Sequence, residues 1–391
     1  MDGVDVKTLK SHLQTHWAEI REDLRQGTYQ PAPVRGQDIP KPGGGVRRLG
    51  IPTTTDRLIQ QAILQVLTPL FDPDFSESSF GFRPGRRAQD AIQRAKGYIE
   101  AGYRVVVDLD LKQFFDRVNH DMLMARIARK VTDKRLLKLI RAYLKAGILH
   151  EGVSTRRVEG TPQGGPLSPL LANILLDELD KELERRGLRF VRYADDFRIF
   201  VRSFRAGERV KVSVTRFLEQ QLKLQVNQEK SGVDRPWRRS LLGFSFYVGK
   251  KVGIRLAPET VQRLKGHIRE LTRRNRSQPM NKRIQQLNRH LKGWLGYFAL
   301  ADARKILQEL DGWIRHRLRA CVWTQWKRVR TRLRKLRAFG LSEHVARMVA
   351  NTRKGPWRAA MLLNNVLNRT FWANQGLVSL EQQYVVLRQT R

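Results

Sequence analysis

The alternation of apolar and polar positions between residues 190 and 201 predicts a β-hairpin. Its two short arms carry β-branched and aromatic residues with the period of half-buried strands. Asp195 and Asp196 lie between the arms and are expected at the hairpin tip. Two adjacent carboxylates in an apolar setting repel each other, and a divalent cation would supply the missing positive charge. A solvated Asp-Asp turn is the alternative, and these residues alone do not decide between the two.

Helical periodicity marks several other segments. Apolar residues recur at helical spacing in 7–24 and in 56–71, which predicts two amphipathic helices. A third helix is expected to begin with Ser168 as N-cap and Pro169 at the first helical position. The glycine- and proline-rich stretch before it, 160–167, predicts a shaped loop whose backbone contacts a substrate.

The apolar run 103–109 predicts a buried strand that ends at Asp110. A carboxylate at the end of such a strand is well placed to hold a metal ion. Asp108 and Asp110 are two residues apart and would share a strand face, so spacing alone does not identify the ligand. Pairing of one of them, Asp108, with an arginine is the structural alternative.

The glycine run 43–45 predicts a tight turn between two strands. Lys41 precedes the turn and Arg47 follows it, so the hairpin would present cations at a place where glycine lets a triphosphate approach the backbone closely. Taken alone this is a weak indication, because basic hairpin tips are usually only solvated.

The charge of the chain indicates a polyanionic partner. The 391 residues carry a net charge of +38, with a pI near 11.2. Nucleic acid is favoured over a membrane, because no apolar run of 18 residues is present. The single Cys321 excludes a disulfide framework and a cysteine-rich zinc site. The N-terminal residues lack the order of a signal peptide, so we expect a cytoplasmic, nucleoid-associated protein.

The positive charge is most one-sided between residues 312 and 342. This segment has ten Lys and Arg residues and no acidic residue. Its tryptophans, Trp313, Trp323 and Trp326, interleave with the cations, a combination that suits structured or single-stranded RNA. For each tryptophan singly, a place in a helical core is the simpler interpretation. The candidate RNA-binding residues are Arg328, Arg330, Arg332 and Arg334.

Several motifs in a fixed order resemble the reverse-transcriptase blocks of bacterial group II intron-encoded proteins, over essentially the whole chain. The motifs are Ile39-Pro40-Lys41-Pro42, Gly50-Ile51-Pro52, Phe80-Gly81-Phe82-Arg83-Pro84, Asp110 with Phe115, Asn119-His120-Asp121, Pro162-Gln163-Gly164, Tyr193-Ala194-Asp195-Asp196, Lys230 and Leu242-Gly243-Phe244. One such motif is weak, but the ordered set is very specific.

The resemblance implies a mixed α/β right-hand polymerase. It assigns residues 1–255 to fingers and a palm with an antiparallel sheet, 256–315 to a helical thumb, and 316–391 to a small basic helical maturase and DNA-binding domain. Many family members carry a further N-terminal segment and a metal-dependent endonuclease domain. We expect both to be missing here.

The resemblance also implies the chemistry of the site. Its aromatic residue stands five positions after the metal-binding aspartate, which selects Asp110 over Asp108 because Phe115 then fits. Two Mg²⁺ ions, for which Mn²⁺ can substitute, would be held by Asp110, the backbone carbonyl of Leu111, Asp195 and Asp196. The implied nucleotide-binding residues are Lys41 and Arg47 on the phosphates, Gln163 on the incoming nucleotide, Phe115 beneath its sugar, and Lys230 as proton donor to pyrophosphate.

The function implied is RNA-directed DNA polymerisation with assistance to intron splicing and mobility. The partners would be group II intron RNA, an RNA template, a DNA primer, target DNA and deoxynucleoside triphosphates, with no membrane. Two alternatives remain: a domesticated reverse transcriptase in phage defence or repair, and an RNA-binding splicing factor with a vestigial polymerase site. The complete carboxylate set speaks against the second.

Overall fold

The computed structural model describes residues 3–40, 44–150, 153–155 and 159–389. They form two compact units, Met1–Pro236 and Trp237–Arg391. The elements of the first unit are α1 (Leu9–Gln26), β1 (Val34–Pro40), β2 (Val46–Ile51), α2 (Thr54–Phe71), α3 (Ala88–Glu100), β3 (Val105–Leu109), α4 (His120–Ala128), α5 (Lys134–Lys145), β4 (Ile148–His150), β5 (Val153–Thr155), α6 (Ser168–Arg185), β6 (Arg189–Tyr193), β7 (Asp196–Val201), α7 (Phe204–Gln220) and β8 (Gly232–Asp234). The helices expected in 7–24 and 56–71 and the strand expected in 103–109 are confirmed as α1, α2 and β3.

An antiparallel sheet with the strand order β6-β7-β3-β8 contains the predicted hairpin. The hairpin is β6 and β7, whose last paired residues are Tyr193 and Asp196. Strand β3 is buried along its whole length, and α3, α6 and α7 pack against the sheet. An antiparallel sheet covered by helices matches the mixed α/β palm expected from the sequence.

Helix α6 lies in the core of the first unit. Most of its side chains are buried, including Leu171, Leu175 and Leu179. A helix that is apolar nearly all round is the kind that packs in a domain interior, and each buried leucine contributes about 1.5–3 kcal/mol. The prediction that Ser168 caps this helix is wrong. Its hydroxyl instead donates to the carbonyl of Pro162 (2.6 Å), because the preceding loop folds back onto the helix start.

A second sheet has the order β2-β1-β4-β5. Strands β1 and β2 form the hairpin predicted around the glycine turn, with Pro40 paired to Val46. Lys41 and Gly43 lie outside the described residues. Strand β1 also pairs in parallel with β4, so this sheet is mixed.

The second unit begins with a hairpin and continues with helices. Its elements are β9 (Phe244–Val248), β10 (Val252–Leu256), α8 (Pro258–Leu271), α9 (Met280–Phe298), α10 (Arg304–Gln325), α11 (Val329–Ala338), α12 (Glu343–Ala350), α13 (Pro356–Leu362), α14 (Arg369–Asn374) and α15 (Leu380–Gln389). Helices α8, α9 and α10 occupy the range 256–315 that was expected to be helical, and α10 continues ten residues beyond 315. Within the described ranges, no helix combines the length and apolarity needed to cross a membrane.

Candidate active site

The turn between β6 and β7 carries the first candidate carboxylate. Because Tyr193 pairs with Asp196, the turn consists of Ala194 and Asp195 alone. Ala194 adopts a left-handed conformation (φ 58°), as tight two-residue hairpin turns require. Asp195 is half-buried in this turn, and Asp196 is the first residue of β7. The prediction of a hairpin with both aspartates at its tip is confirmed.

Asp110 comes directly after β3, the strand paired with β7. The last paired residues are Leu109 and Phe197, so Asp110 emerges beside the hairpin tip. Its backbone N–H donates to Ser231 Oγ (3.0 Å), and its carbonyl accepts from the N–H of Asn227 (2.8 Å). These two bonds fix the chain on which Asp110 and the following Leu111 stand.

The electrostatics of Asp195 show that the predicted charges meet in one place. Burial raises the pKa of the Asp195 carboxyl, the negative charges of Asp196 and Asp110 raise it further, and the positive charge of Arg47 opposes them. The site therefore holds three mutually repelling carboxylates, with the positive charge of Arg47 acting on Asp195. Such an excess of negative charge favours binding of a cation.

Arg198 distinguishes Asp108 from Asp110, because it forms an ion pair with Asp108. Its Nη1 lies 2.6 Å from Asp108 Oδ1 and 2.6 Å from Asp196 Oδ1. The pairing of Asp108 with an arginine, left open from the sequence, is therefore what occurs. Arg198 thus neutralises part of the charge of Asp196. The carboxylate of Asp195, by contrast, is repelled by the charges of Asp196 and Asp110.

The carboxylates suit a hard divalent ion. In the described part of the chain, no three Asp, Glu, His or Cys side chains converge tightly enough to form a complete metal site by themselves. The donor set at Asp110 and Asp195 nevertheless fits Mg²⁺, because this ion prefers carboxylate oxygens, takes few of them from the protein and leaves other positions to water and substrate phosphates. Such an ion would compensate the negative charge of the Asp195 carboxylate, whose raised pKa shows that this charge is unfavourable without a counter-ion.

The candidate nucleotide-binding residues stand on segments that are bonded to one another. The N–H of Gly50, three residues after Arg47 on β2, donates to the carbonyl of Gln163 (2.8 Å). The N–H of Thr161, in the same loop as Gln163, donates to the carbonyl of Phe115 (2.6 Å). The backbone thus links the exposed Arg47, the half-buried Gln163 and Phe115 into one framework.

Glycines make this close backbone packing possible. Gly160 has φ 87°, and a Cβ there would lie 2.8 Å from the carbonyl oxygen of Asp116. Gly164 has φ 134°, and a Cβ there would lie 2.9 Å from the carbonyl oxygen of Gly50. Side chains at either position would push the loop away from β2 or from the Phe115 segment.

The two remaining candidate nucleotide-binding residues are lysines. Lys41 lies outside the described residues. Lys230 is exposed and directly precedes Ser231, whose hydroxyl contacts the backbone of Asp110. Lys230 therefore stands on the segment that borders the carboxylates.

The sequence interpretation missed a polar cluster behind the hairpin turn. Arg192 is fully buried and donates to Asp180 (2.8 Å), to Asn173 Oδ1 (2.9 Å) and to the carbonyl of Ala194 (3.0 Å). Asn173 in turn donates to the carbonyl of Gly81 (2.9 Å), and a Cβ at Gly81 would collide with the backbone of Ala194. Two polar residues seven apart on the apolar helix α6 were the signal that could have revealed this cluster.

The candidate RNA-binding arginines of the second unit differ in their exposure to solvent. Arg328, Arg330 and Arg334 are exposed. Arg332, by contrast, donates from Nε to the carbonyl of Trp326 (2.9 Å), and its guanidinium lies 4.1 Å from the ring centroid of Trp323. Three of the four candidate arginines thus face solvent, whereas Arg332 is used in packing.

The tryptophans of the basic segment differ among themselves. Trp323 and Trp326 are buried, which confirms the core interpretation for these two. Trp313 is half-buried, with the guanidinium groups of Arg269 and Arg317 at 5.6 Å and 5.2 Å from its ring centroid.

Comparison with known proteins agrees with the geometry. Residues 39–246 match the family "Reverse transcriptase (RNA-dependent DNA polymerase)", and residues 261–339 match "Group II intron, maturase-specific domain". Protein YkfC of Escherichia coli (strain K12) is 34% identical over 271 residues, which are 60% of this chain and 71% of YkfC.

Two intron-encoded relatives are similar over shorter regions. Group II intron-encoded protein LtrA of Lactococcus lactis is 42% identical over 175 residues, 44% of this chain and 29% of LtrA. The putative COX1/OXI3 intron 1 protein of Saccharomyces cerevisiae is 31% identical over 183 residues, 46% of this chain and 22% of that protein. The chain thus matches less than a third of the length of either.

Proposed function

Because the chain belongs to the reverse transcriptase family and carries a group II intron maturase-specific domain, we propose that it extends a DNA primer on an RNA template and binds intron RNA to assist splicing and mobility. Family membership confirms the resemblance seen in the motifs and the right-hand polymerase fold expected from it. The observation that carries the proposal is the convergence of Asp110, Asp195 and Asp196 where β3 meets the β6–β7 turn.

In this proposal Asp110 and Asp195 hold two Mg²⁺ ions, for which Mn²⁺ can substitute, together with the backbone carbonyl of Leu111. Such ions activate the primer 3′-hydroxyl and neutralise the triphosphate and the leaving pyrophosphate. Asp196 stands alongside and contributes less directly, because Arg198 already neutralises part of its charge. The hydrogen bonds from Arg192 to Ala194 and from Asp110 to Ser231 keep the two ligands in position.

The neighbouring residues would position the nucleotide. Arg47 and Lys41 would donate charge-assisted hydrogen bonds to the β- and γ-phosphates. Gln163 would contact the incoming nucleotide from a loop fixed to Gly50. Phe115 would lie beneath the sugar, where its ring would collide with a 2′-hydroxyl, and Lys230 would give a proton to the pyrophosphate.

The second unit would bind RNA and target DNA through its exposed cations. Arg328, Arg330 and Arg334 support this role because they are exposed on and just before α11, with no acidic residue between 312 and 342. We keep the functional division proposed from the sequence: fingers and palm in 1–255, thumb in 256–315, and the basic domain in 316–391. Since its proposed macromolecular partners are nucleic acids, we place its action at the bacterial nucleoid in the cytoplasm.

Primer extension on an RNA template tests the proposal. The purified protein should extend an annealed DNA primer with deoxynucleotides when Mg²⁺ is present and stop when the metal is chelated. Asp195→Asn should abolish extension and still bind RNA, whereas Asp196→Asn should retain some activity. Full extension by Asp195→Asn would refute the assignment of the site.

A further inference from the structure

A cavity of about 590 Å³ lies in the second unit, far along the chain from the carboxylates. It opens between the loop 272–279, helix α10 and the start of α13, and its lining includes Arg273, Arg274 and Arg317. A second cavity of about 220 Å³ shares Arg274 and Arg317 and is bordered by Trp357. The two together, named the arginine cavity below, are of the size that accommodates small organic ligands.

The charge of the arginine cavity is uncompensated. Within the described ranges, Arg273, Arg274 and Arg317 form no ion pair with a carboxylate. The nearby Glu270 contacts His267 instead, at 4.0 Å. Three guanidinium groups around one concave space favour an anion. Phosphate suits the exposed Arg273 and Arg274, because guanidinium donors form paired hydrogen bonds to its oxygens, and Arg317 adds a third positive charge.

Arg317 is built into the wall of the cavity. Its Nε donates to Thr272 Oγ1 (2.6 Å), and its Nη2 donates to the carbonyl of Arg269 (3.3 Å). Burial lowers the pKa of Arg317, and the positive charges of Arg269 and Arg274 lower it further. A fixed, half-buried cation surrounded by other cations is stabilised when an anion binds next to it.

Trp357 adds an aromatic surface to the same place. Its side chain is 44% exposed although it is large and apolar. Its ring is in edge-to-face contact with that of His316, with 4.0 Å between the centroids, so its orientation is fixed. An exposed, oriented indole beside guanidinium groups is the arrangement on which unpaired bases stack.

We propose that the arginine cavity binds one nucleotide of a single-stranded RNA segment, with its phosphate on Arg273, Arg274 and Arg317 and its base against Trp357. The inference rests on the proposed function, which supplies RNA as the partner. The volume of the cavity is of the size that one nucleotide fills. The site thus adds a defined contact to the RNA binding proposed for the exposed arginines around α11.

The test compares charge-matched variants. We would measure binding of a fluorescein-labelled oligouridylate by fluorescence anisotropy over a series of salt concentrations. Arg274→Gln should weaken binding about tenfold and reduce the log–log salt slope by about 0.7, the value for one lost phosphate contact on a single strand. Arg353→Gln removes the same charge from an exposed position outside the cavity and should change both quantities far less.

The aromatic half of the proposal has a separate signature. Trp357→Leu should weaken binding about fivefold or more, since a stacked base is lost, and leave the salt slope unchanged because no charge is removed. Arg274 is exposed, so thermal unfolding of Arg274→Gln should match the wild type. Trp357→Leu loses the ring contact with His316 and should unfold at a slightly lower temperature, so its RNA binding is measured well below that temperature.

Each measurement tests one part of the proposed nucleotide site. Equal affinity and slope for Arg274→Gln and Arg353→Gln would overturn the phosphate assignment, and unchanged affinity of Trp357→Leu would overturn the stacking. Competition by uridine monophosphate at the concentration effective for the oligonucleotide would identify a free-nucleotide site instead. Primer extension by the same wild-type preparation tests the proposed function separately from the cavity. If the wild type does not extend a primer, the proposed function is wrong. If it does, but Arg274→Gln and Arg353→Gln bind RNA equally well, only the assignment of the cavity is wrong.

Discussion

Arg192 and Asp180 form an ion pair that is fully buried behind the turn carrying Asp195, with both side chains 0% exposed and Nε 2.8 Å from Oδ1. The same guanidinium donates to the carbonyl of Ala194, the residue directly before Asp195. The pair therefore couples the position of a candidate metal ligand to helix α6.

We expect Arg192→Met to reduce both stability and activity. Removing one partner leaves Asp180 as an unpaired buried charge, which costs about 3–5 kcal/mol in the free energy of unfolding. It also leaves the turn without the donor to Ala194. Thermal unfolding and the rate of primer extension on an RNA template measure the two effects.

The double variant Arg192→Met/Asp180→Leu separates these effects. Replacing a buried ion pair by apolar residues of similar size is often neutral for stability, so the unfolding temperature should recover. Primer extension should stay low, because the carbonyl of Ala194 still lacks its donor. A double variant that is stable and fully active would show that Arg192 only stabilises the fold.

Phe115 should determine the choice of sugar. Phe115→Val removes the ring proposed to exclude a 2′-hydroxyl, so incorporation of ribonucleotides relative to deoxyribonucleotides should rise by about tenfold or more, equivalent to about 1.4 kcal/mol. The ratio is measured by competition of the two nucleotides in primer extension. Phe114, the buried neighbour whose ring centroid is 5.1 Å away, provides the control: Phe114→Leu should lower stability and leave the ratio unchanged.

The exposed arginines around α11 should account for part of the salt dependence of RNA binding. Replacing Arg328, Arg330 and Arg334 together by glutamine should reduce the log–log slope by about 2.1–2.7, since each of three lost phosphate contacts contributes roughly 0.7–0.9. Arg332→Gln should change the slope less and lower the unfolding temperature, because its guanidinium packs on Trp323. Equal slopes for the triple variant and the wild type would mean that this surface is only solvated.

Metal binding should weaken as the pH falls, because protons compete for the carboxylates. The pKa of Asp195 is raised by burial and by its acidic neighbours and is opposed by Arg47, so the loss should occur at a higher pH than an ordinary aspartate would give. Arg47→Gln removes the charge that opposes the rise and should shift the loss to still higher pH. Mn²⁺ binding followed by electron paramagnetic resonance, without nucleotide, measures this. A shift to lower pH would contradict the proximity of Arg47 and Asp195.

The sequence by itself determined the elements and the family. The alternating pattern around Asp195, the apolar run ending at Asp110 and the helical spacing of 56–71 each lie within one short segment, and all three appear as expected. Local periodicity is sufficient for such features, because it directly reflects which face of a strand or helix is buried. The ordered motifs identified the family for the same reason, since each is contiguous in the chain.

Only the tertiary structure decided which polar groups are partners. In the folded chain Asp108 forms an ion pair with Arg198 across two strands, and Asp180 forms one with Arg192 between a helix and a strand. The guanidinium of Arg332 packs on the ring of Trp323. The tertiary structure also directed the hydroxyl of Ser168 to Pro162 instead of to the start of α6. A charged or polar side chain has the same local sequence signature whether it is solvated or paired. Which of the two occurs depends on burial and on residues brought close by packing, and neither is encoded in the spacing of one segment.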